Sequence, residues 1–275
     1  MPTLYVRKVI FVMWMRKTLH FIWTCLILIN YFVRAEAIKL FVRDPVKSLK
    51  MKIKNASRTS RRLLDSFQVK VRIKNPERLE ELRDQNYMLV GNHSAYLDIF
   101  MLAAQEELVF ITSVEMSETP LLGQIVEAAG CLYTDRKKKV SLPQEVSRFV
   151  QTIRSGFKVV LFPESPGTDG GSVKDFRKSL FQVAVESCCT VLPVCIRYLH
   201  LDGKPVNTEN RTVISWYRGI KFMQHLWNLL AHRLEAEISF LDPVQYDPQR
   251  KRGELADLVY ARVNETFHSY DTLTN

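Results

Sequence analysis

"YMLVGNHSAYLD", residues 87–98, changes character in mid-stretch. Tyr87 to Val90 is continuously apolar, as a strand covered on both faces is. Gly91 and Asn92 are turn formers, Ser94 is a good N-cap, and an apolar helical pattern begins just after it. A buried strand that turns straight into a helix is the repeating unit of an α/β fold, and the same unit recurs along the chain. Further strands are predicted at 68–74, 108–112, 131–135, 158–164, 190–198, 211–217 and 236–242. Helical patterns fall near 95–105, 117–129, 141–155, 175–187, 221–233 and 253–268, with Pro120, Pro143 and Pro163 at element ends. Val69, Val71 and Ile73 alternate with Lys70 and Arg72, the signature of an edge or half-exposed strand. The expected fold is a three-layer αβα domain with a mixed, largely parallel sheet.

The turn also carries chemistry. His93 stands where the strand stops, and Asp98 follows five residues later. Five residues are about 140° apart around an α-helix, so the two meet only if His93 lies in the non-helical entry and folds back over the first turn. Asp98 would then sit where the helix dipole favours an anion. A carboxylate accepting from one imidazole nitrogen fixes the tautomer and leaves the other nitrogen as a base. The sequence has no Gly-x-Ser-x-Gly and no cysteine beside a histidine, which favours an attacking hydroxyl supplied by substrate. Arg136, at the end of "GCLYTDR", suits a phosphate clamp because a guanidinium binds phosphate bidentately. The other five histidines are read as structural. His225 and His232 lack a third ligand, so no metal is expected.

Charge is unevenly placed. Residues 1–75 hold 17 Lys and Arg against 3 Asp and Glu, a net of +14, whereas residues 76–275 carry 22 against 26, a net of −4. The basic quarter contains "VIFVMWMRKTLHFIWTCLILINYFVR" (9–34), in which Thr18 to Val33 has no charge apart from one His20 can gain. This reads as a membrane-embedded helical segment, either one tilted span or a helix pair dipping into one leaflet, with Trp14 and Trp23 at the interface. Residues 39–62 add nine Lys and Arg against one Asp, a surface for anionic headgroups. They lack the aromatic interleaving of a nucleic-acid binder, so no nucleic-acid partner is expected. The chain is accordingly divided into an anchor and membrane-surface segment, 1–62, and a catalytic domain, 63–275. Five cysteines without a CxxC pair indicate small core residues in a reducing compartment.

Four blocks in order, "NHSAYLD" (92–98), "GCLYTDR" (130–136), "LFPES" (161–165) and "VLPVCIRY" (191–198), give the chain a resemblance to the glycerolipid acyltransferase family, which includes the 1-acylglycerol-3-phosphate acyltransferases. The resemblance covers roughly residues 70–270 and is similar to the bacterial branch. It implies an O-acyltransferase that moves a fatty acyl chain from acyl-CoA or acyl-acyl carrier protein to a lysolipid hydroxyl, with no cofactor and no metal. The first acceptor it implies is 1-acylglycerol-3-phosphate, giving phosphatidic acid. His93 would be the base, Asp98 its orienting partner, Arg136 the phosphate ligand and Glu164 a contact to the glycerol backbone. Ser165, Gly167, Thr168, Arg177 and Lys178 would complete the acceptor site. The location implied is the bacterial inner membrane, with the active site on the cytoplasmic side. The family usually has glycine after the Glu; here Ser165-Pro166-Gly167 stands there, and Pro166 has no N–H to give a phosphate. "PLLGQIV" (120–126) is read first as core packing, with the lining of an acyl tunnel as the alternative. The departure makes a lysolipid without glycerophosphate, such as lyso-ornithine lipid, the alternative acceptor. A non-catalytic lipid-binding protein on the same fold is the other reading, and intact His93 and Asp98 argue against it.

Overall fold

Apolar runs bounded by turn residues become strands, and the patterns between them become helices. A computed structural model describes residues 4–135, 139–164, 168–216 and 219–269. In chain order the elements are α1 (Leu4–Phe41), α2 (Pro45–Ser66), β1 (Val69–Lys74), α3 (Glu77–Glu81), β2 (Tyr87–Gly91), α4 (Tyr96–Gln105), β3 (Leu108–Ser113), α5 (Val114–Ser117), α6 (Leu122–Ala128) and β4 (Leu132–Thr134). They continue with α7 (Leu142–Arg154), β5 (Lys158–Leu161), α8 (Gln182–Ser187), β6 (Thr190–Leu201), β7 (Lys204–Pro205), α9 (Phe222–Leu229), β8 (Leu234–Phe240) and α10 (Arg252–His268).

The sheet has the order β1-β8-β6-β2-β5-β3-β4, with β7 paired to β6. Every pairing is parallel except β6 with β8 and β6 with β7, so the sheet is mixed and largely parallel. Period-two alternation sends side chains into two cores. Leu89, Val160, Leu192 and Val194 face α4 and α9, while Met88, Val90, Val159 and Val191 face α7, α8 and α10. Each such buried aliphatic contributes about 1.5–3 kcal/mol. β1 is an edge strand whose lysines and Arg72 point to solvent.

Three predicted elements differ. Of the strand expected over 211–217, the described residues 211–216 form none: Arg211–Val213 is a 3₁₀ turn, Trp216 N–H donates to Ser94 C=O at 3.0 Å, and Ser215 Oγ donates to Asp169 C=O at 2.8 Å. The helix expected over 117–129 is broken into α5 and α6 at Pro120 and Leu121, where Leu121 has φ +67°. The helix expected over 175–187 reduces to α8 after a 3₁₀ turn at Ser179–Phe181, because the preceding backbone is drawn to the β5 end.

The basic stretch 39–62 is mostly α2, which runs across residues 62 and 63, where the sequence was divided. Asp44 caps it by accepting from Lys47 N–H, with Pro45 in the first turn. Its buried side carries Ile53, Ser57, Ser60 and Leu64 at helical spacing, and Asn55 donates to Tyr31 C=O at 3.1 Å across to α1. α1 is two-sided as well. Thr24, Ile27, Tyr31, Ala35 and Ile38 are buried, while Leu19, Ile22, Leu26, Ile29 and Val33 are exposed. Lys17–Phe41 is long and apolar enough to cross a membrane by length and composition.

Candidate active site

The turn after β2 is built against β6. A Cβ at Gly91 would come within 2.5 Å of Val194 C=O, so only glycine fits there. Asn92 then laces the turn to β6 in both directions: its Nδ2 donates to Ile196 C=O and its Oδ1 accepts from Ile196 N–H, each at 2.8 Å. The chain leaves the strand here, and His93 folds back on the first turn of α4.

His93 Nδ1 lies 2.9 Å from Asp98 Oδ2. Asp98 is fully buried and carries a carboxylate, which can only accept, so Nδ1 holds the proton and Nε2 is the free base. The imidazole stacks on Phe162, with centroids 4.3 Å apart and planes at 14°. Three more donors hold the carboxylate: Ser94 N–H (2.8 Å), Ala95 N–H (2.9 Å) and Tyr198 O–H (2.6 Å). The N-cap position is Ala95 rather than Ser94. Asp98 at the third helical position supplies the reaching-back half of a capping arrangement. Tyr198 was not singled out in the sequence. It lies a hundred residues away on β6, and only the parallel register of β2 with β6 brings it to Asp98. Burial pushes its phenol well above the ordinary value, and the neighbouring Asp98 charge adds to that.

Glu164 is also spoken for by backbone. One oxygen accepts from His93 N–H and the other from Lys174 N–H, both at 3.0 Å. With the two donations to Asp98, the N–H groups of residues 93, 94 and 95 all point at carboxylates. None of the three is free to stabilise an oxyanion. Burial pushes the Glu164 carboxyl from 4.5 to about 7, outweighing its two N–H donors. Between those pH values the unfolded chain gives up a proton that the folded chain keeps, so stability falls as pH rises through the window. The difference corresponds to on the order of 3 kcal/mol. Urea unfolding from pH 4.5 to 7 is expected to show this decline in the wild type and a flatter profile in Glu164→Gln; parallel profiles would refute it.

The remaining predicted residues are dispersed. Arg136, Ser165 and Gly167 lie outside the described residues. The strand end before Arg136 is anchored, with Thr134 Oγ1 (2.6 Å) and Asp135 N–H (3.1 Å) both donating to Glu145. Thr168 is buried and accepts from Gly170 N–H at 3.1 Å, so its hydroxyl serves its own loop. Arg177 N–H donates to Pro163 C=O at 3.2 Å, which fastens the loop beside Glu164. Lys178 is turned to α10, where its ammonium pairs with Asp257 at 2.7 Å. Arg211 pairs with Asp169 at 2.5 Å across the same loop. Burial alone would raise the Asp169 carboxyl, but the Gly171 N–H and the Arg211 guanidinium outweigh it and hold it below the ordinary value.

His93 and Glu164 open onto a cavity of about 270 Å³. Its walls are apolar: Tyr96, Phe100, Phe110 and Phe162 near α4 and the sheet, then Tyr31 and Leu63 from the N-terminal helices. Leu122, Ile125 and Val126 line it too, so part of "PLLGQIV" is cavity wall rather than core packing alone. Tyr31 O–H donates to Ile125 C=O at 2.9 Å and ties α1 to this wall.

Residues 70–197 match the family model named Acyltransferase. Among curated proteins, the chain is 26% identical over 191 residues to the lyso-ornithine lipid O-acyltransferase of Rhizobium meliloti, covering 66% of this chain and 65% of that one. It is 28% identical over 174 residues to the 1-acyl-sn-glycerol-3-phosphate acyltransferase of Neisseria gonorrhoeae, covering 62% and 66%. The matched part thus spans just under two thirds of the length of these relatives. In three dimensions the chain is similar to the 1-acyl-sn-glycerophosphate acyltransferase of Thermotoga maritima, with a TM-score of 0.67 over 94% of this chain and 98% of that one at 18% identity. Over residues 70–197 the chain is thus similar to the Acyltransferase family model, and it shares its fold with the Thermotoga protein.

Proposed function

We propose that the protein transfers a fatty acyl chain from a thioester donor to the free hydroxyl of a lysolipid. The observation that carries this reading is a histidine base, oriented by a buried carboxylate, in the wall of a largely apolar cavity of about 270 Å³. His93 Nε2 takes the proton of the acceptor hydroxyl while its oxygen attacks the thioester carbonyl. The tetrahedral intermediate collapses with cleavage of the carbon–sulfur bond, and the thiolate leaves with the proton from the imidazolium. Asp98 keeps the Nδ1–H tautomer throughout and stabilises the transient cation. The cavity walls suit an aliphatic chain. The donor is acyl-CoA or acyl-acyl carrier protein.

Among acceptors, a zwitterionic lyso-ornithine lipid fits the described wall better than a lysophosphatidate. That wall carries Glu164 and no Lys or Arg among the described residues, Lys178 is diverted to Asp257, and Pro166 offers no N–H. The relative from Rhizobium bears the same acceptor in its name. The second reading, 1-acylglycerol-3-phosphate, is favoured by Arg136 in the "TDR" block and by the Neisseria relative. Detergent-purified protein offered both acceptors with acyl-CoA and acyl carrier protein donors, read by mass spectrometry, is expected to give the diacyl ornithine product faster. Faster phosphatidate formation reverses the order, and no product from either acceptor refutes acyl transfer.

Membrane association is part of the same proposal. α1 docks one face on the domain and turns the opposite apolar face, with Trp14 and Trp23, outward. This two-sidedness supports a helix lying in one leaflet over one crossing the bilayer. An inner-membrane location with the active site on the cytoplasmic side follows from the reading, since that is where the acyl donors are made.

A further inference from the structure

The inner flanks of α1 and α2 enclose a second cleft, of about 320 Å³, separate from the cavity at His93. Its lining is sorted by polarity along the hairpin. Phe41 and Met51 lie near the turn between the helices, with Ile38 as floor, while Arg34, Lys54 and Arg58 lie farther from the turn. The spacing places each set on a common helix face: residues 34, 38 and 41 on α1, and 51, 54 and 58 on α2. Among the described residues, none of the three cations makes a hydrogen bond or an ion pair. The carboxylate nearest to the turn, Asp44, is occupied in capping α2. Three unpaired cations facing one cleft repel one another, an arrangement that an anion relieves.

The apolar end is open. Phe41 is 83% exposed, and it continues the outward apolar face of α1 through Leu40 and Val33. An occupant must therefore carry a negative head and an aliphatic tail, and must reach the cleft from the surface that α1 presents to lipid. We propose that this cleft binds one anionic glycerophospholipid of the membrane. The phosphate sits between Arg34 and Arg58 with Lys54 beside it, and one acyl chain lies along Ile38, Phe41 and Met51. Guanidinium pairs grip phosphate oxygens bidentately, which suits them to a headgroup better than lysine alone. The inference rests on the membrane association proposed above and is independent of acyl transfer.

Native mass spectrometry of the full chain in detergent tests this, because a micelle removes the general attraction of a charged bilayer. Titration with phosphatidylglycerol is expected to load one lipid per chain, with phosphatidylcholine binding more weakly. Arg34→Gln with Arg58→Gln is expected to weaken phosphatidylglycerol by about tenfold or more, the scale of lost charged hydrogen bonds. Lys47→Gln with Lys50→Gln removes the same charge from exposed positions of α2 outside the cleft and is expected to leave binding within about twofold, because no direct contact is lost. Phe41→Ser is expected to weaken the lipid while leaving any response to inorganic phosphate unchanged. Equal weakening by both cation pairs, equal binding of the two lipids, or full displacement by inorganic phosphate or by acyl carrier protein would overturn the proposal. Acyl transfer is assayed in parallel: its absence in the wild type refutes the enzyme reading and leaves the lipid count standing.

Discussion

His93→Ala is expected to lower the turnover of acyl transfer by roughly 10²- to 10⁴-fold, the range that a positioned general base contributes. The loss should fall on kcat, since most of the cavity wall proposed to receive the chain is supplied by other residues. Folding should be little affected. The His93 side chain is 28% exposed, and the backbone N–H that Glu164 holds survives the substitution. Single-turnover kinetics with saturating donor and acceptor separate the two quantities. Activity within about tenfold of the wild type would mean that another group removes the proton, and the mechanism above would be wrong.

Asp98→Asn is expected to cost as much in rate and more in stability. The carboxylate accepts from His93 Nδ1–H, Ser94 N–H, Ala95 N–H and Tyr198 O–H, all from a fully buried position. An amide keeps one acceptor oxygen. If that oxygen faces the three donors on the turn, its NH₂ group faces Tyr198, whose hydroxyl must reverse and accept. The imidazolium that forms during catalysis then has no anion beside it. The aspartate of a serine-protease triad, replaced in the same way, loses about 10⁴ in turnover, and a comparable fall is expected here. Weakening several charge-assisted bonds should also lower stability by about 2–4 kcal/mol. Tyr198→Phe removes one of the four donors, and a smaller loss, of about tenfold in rate, is expected. Thermal unfolding and kcat measured on the same preparations check both. An Asp98→Asn protein with wild-type kcat would show that Asp98 only builds the turn.

Much of this was legible in the residues. "YMLV" had to be a covered strand, and Gly91-Asn92 announced the turn that lets His93 fold back to Asp98. What stayed hidden is tertiary in origin. Tyr198 reaches the site through the pairing of β2 with β6, and no local pattern marks it. Residues 211–217 have strand composition, but their backbone bonds Ser94 and their side chains bond Asp169. The buried side of α2 escaped notice because it is lined by Ser57, Ser60 and Asn55, small polar residues that helices tolerate in close contact. A polar composition read as a surface was half an interface. Only the spacing of Ile53, Ser57, Ser60 and Leu64 carried the signal.

The three N–H groups of residues 93–95 are saturated by Asp98 and Glu164 before any substrate arrives. The turn is an anion receptor whose guests belong to the chain itself. For inhibitor design this closes one route and opens another. A phosphonate or boronate warhead aimed at those amides would have to evict a resident carboxylate, whereas a neutral donor to His93 Nε2 carrying an aliphatic tail would meet no such competitor.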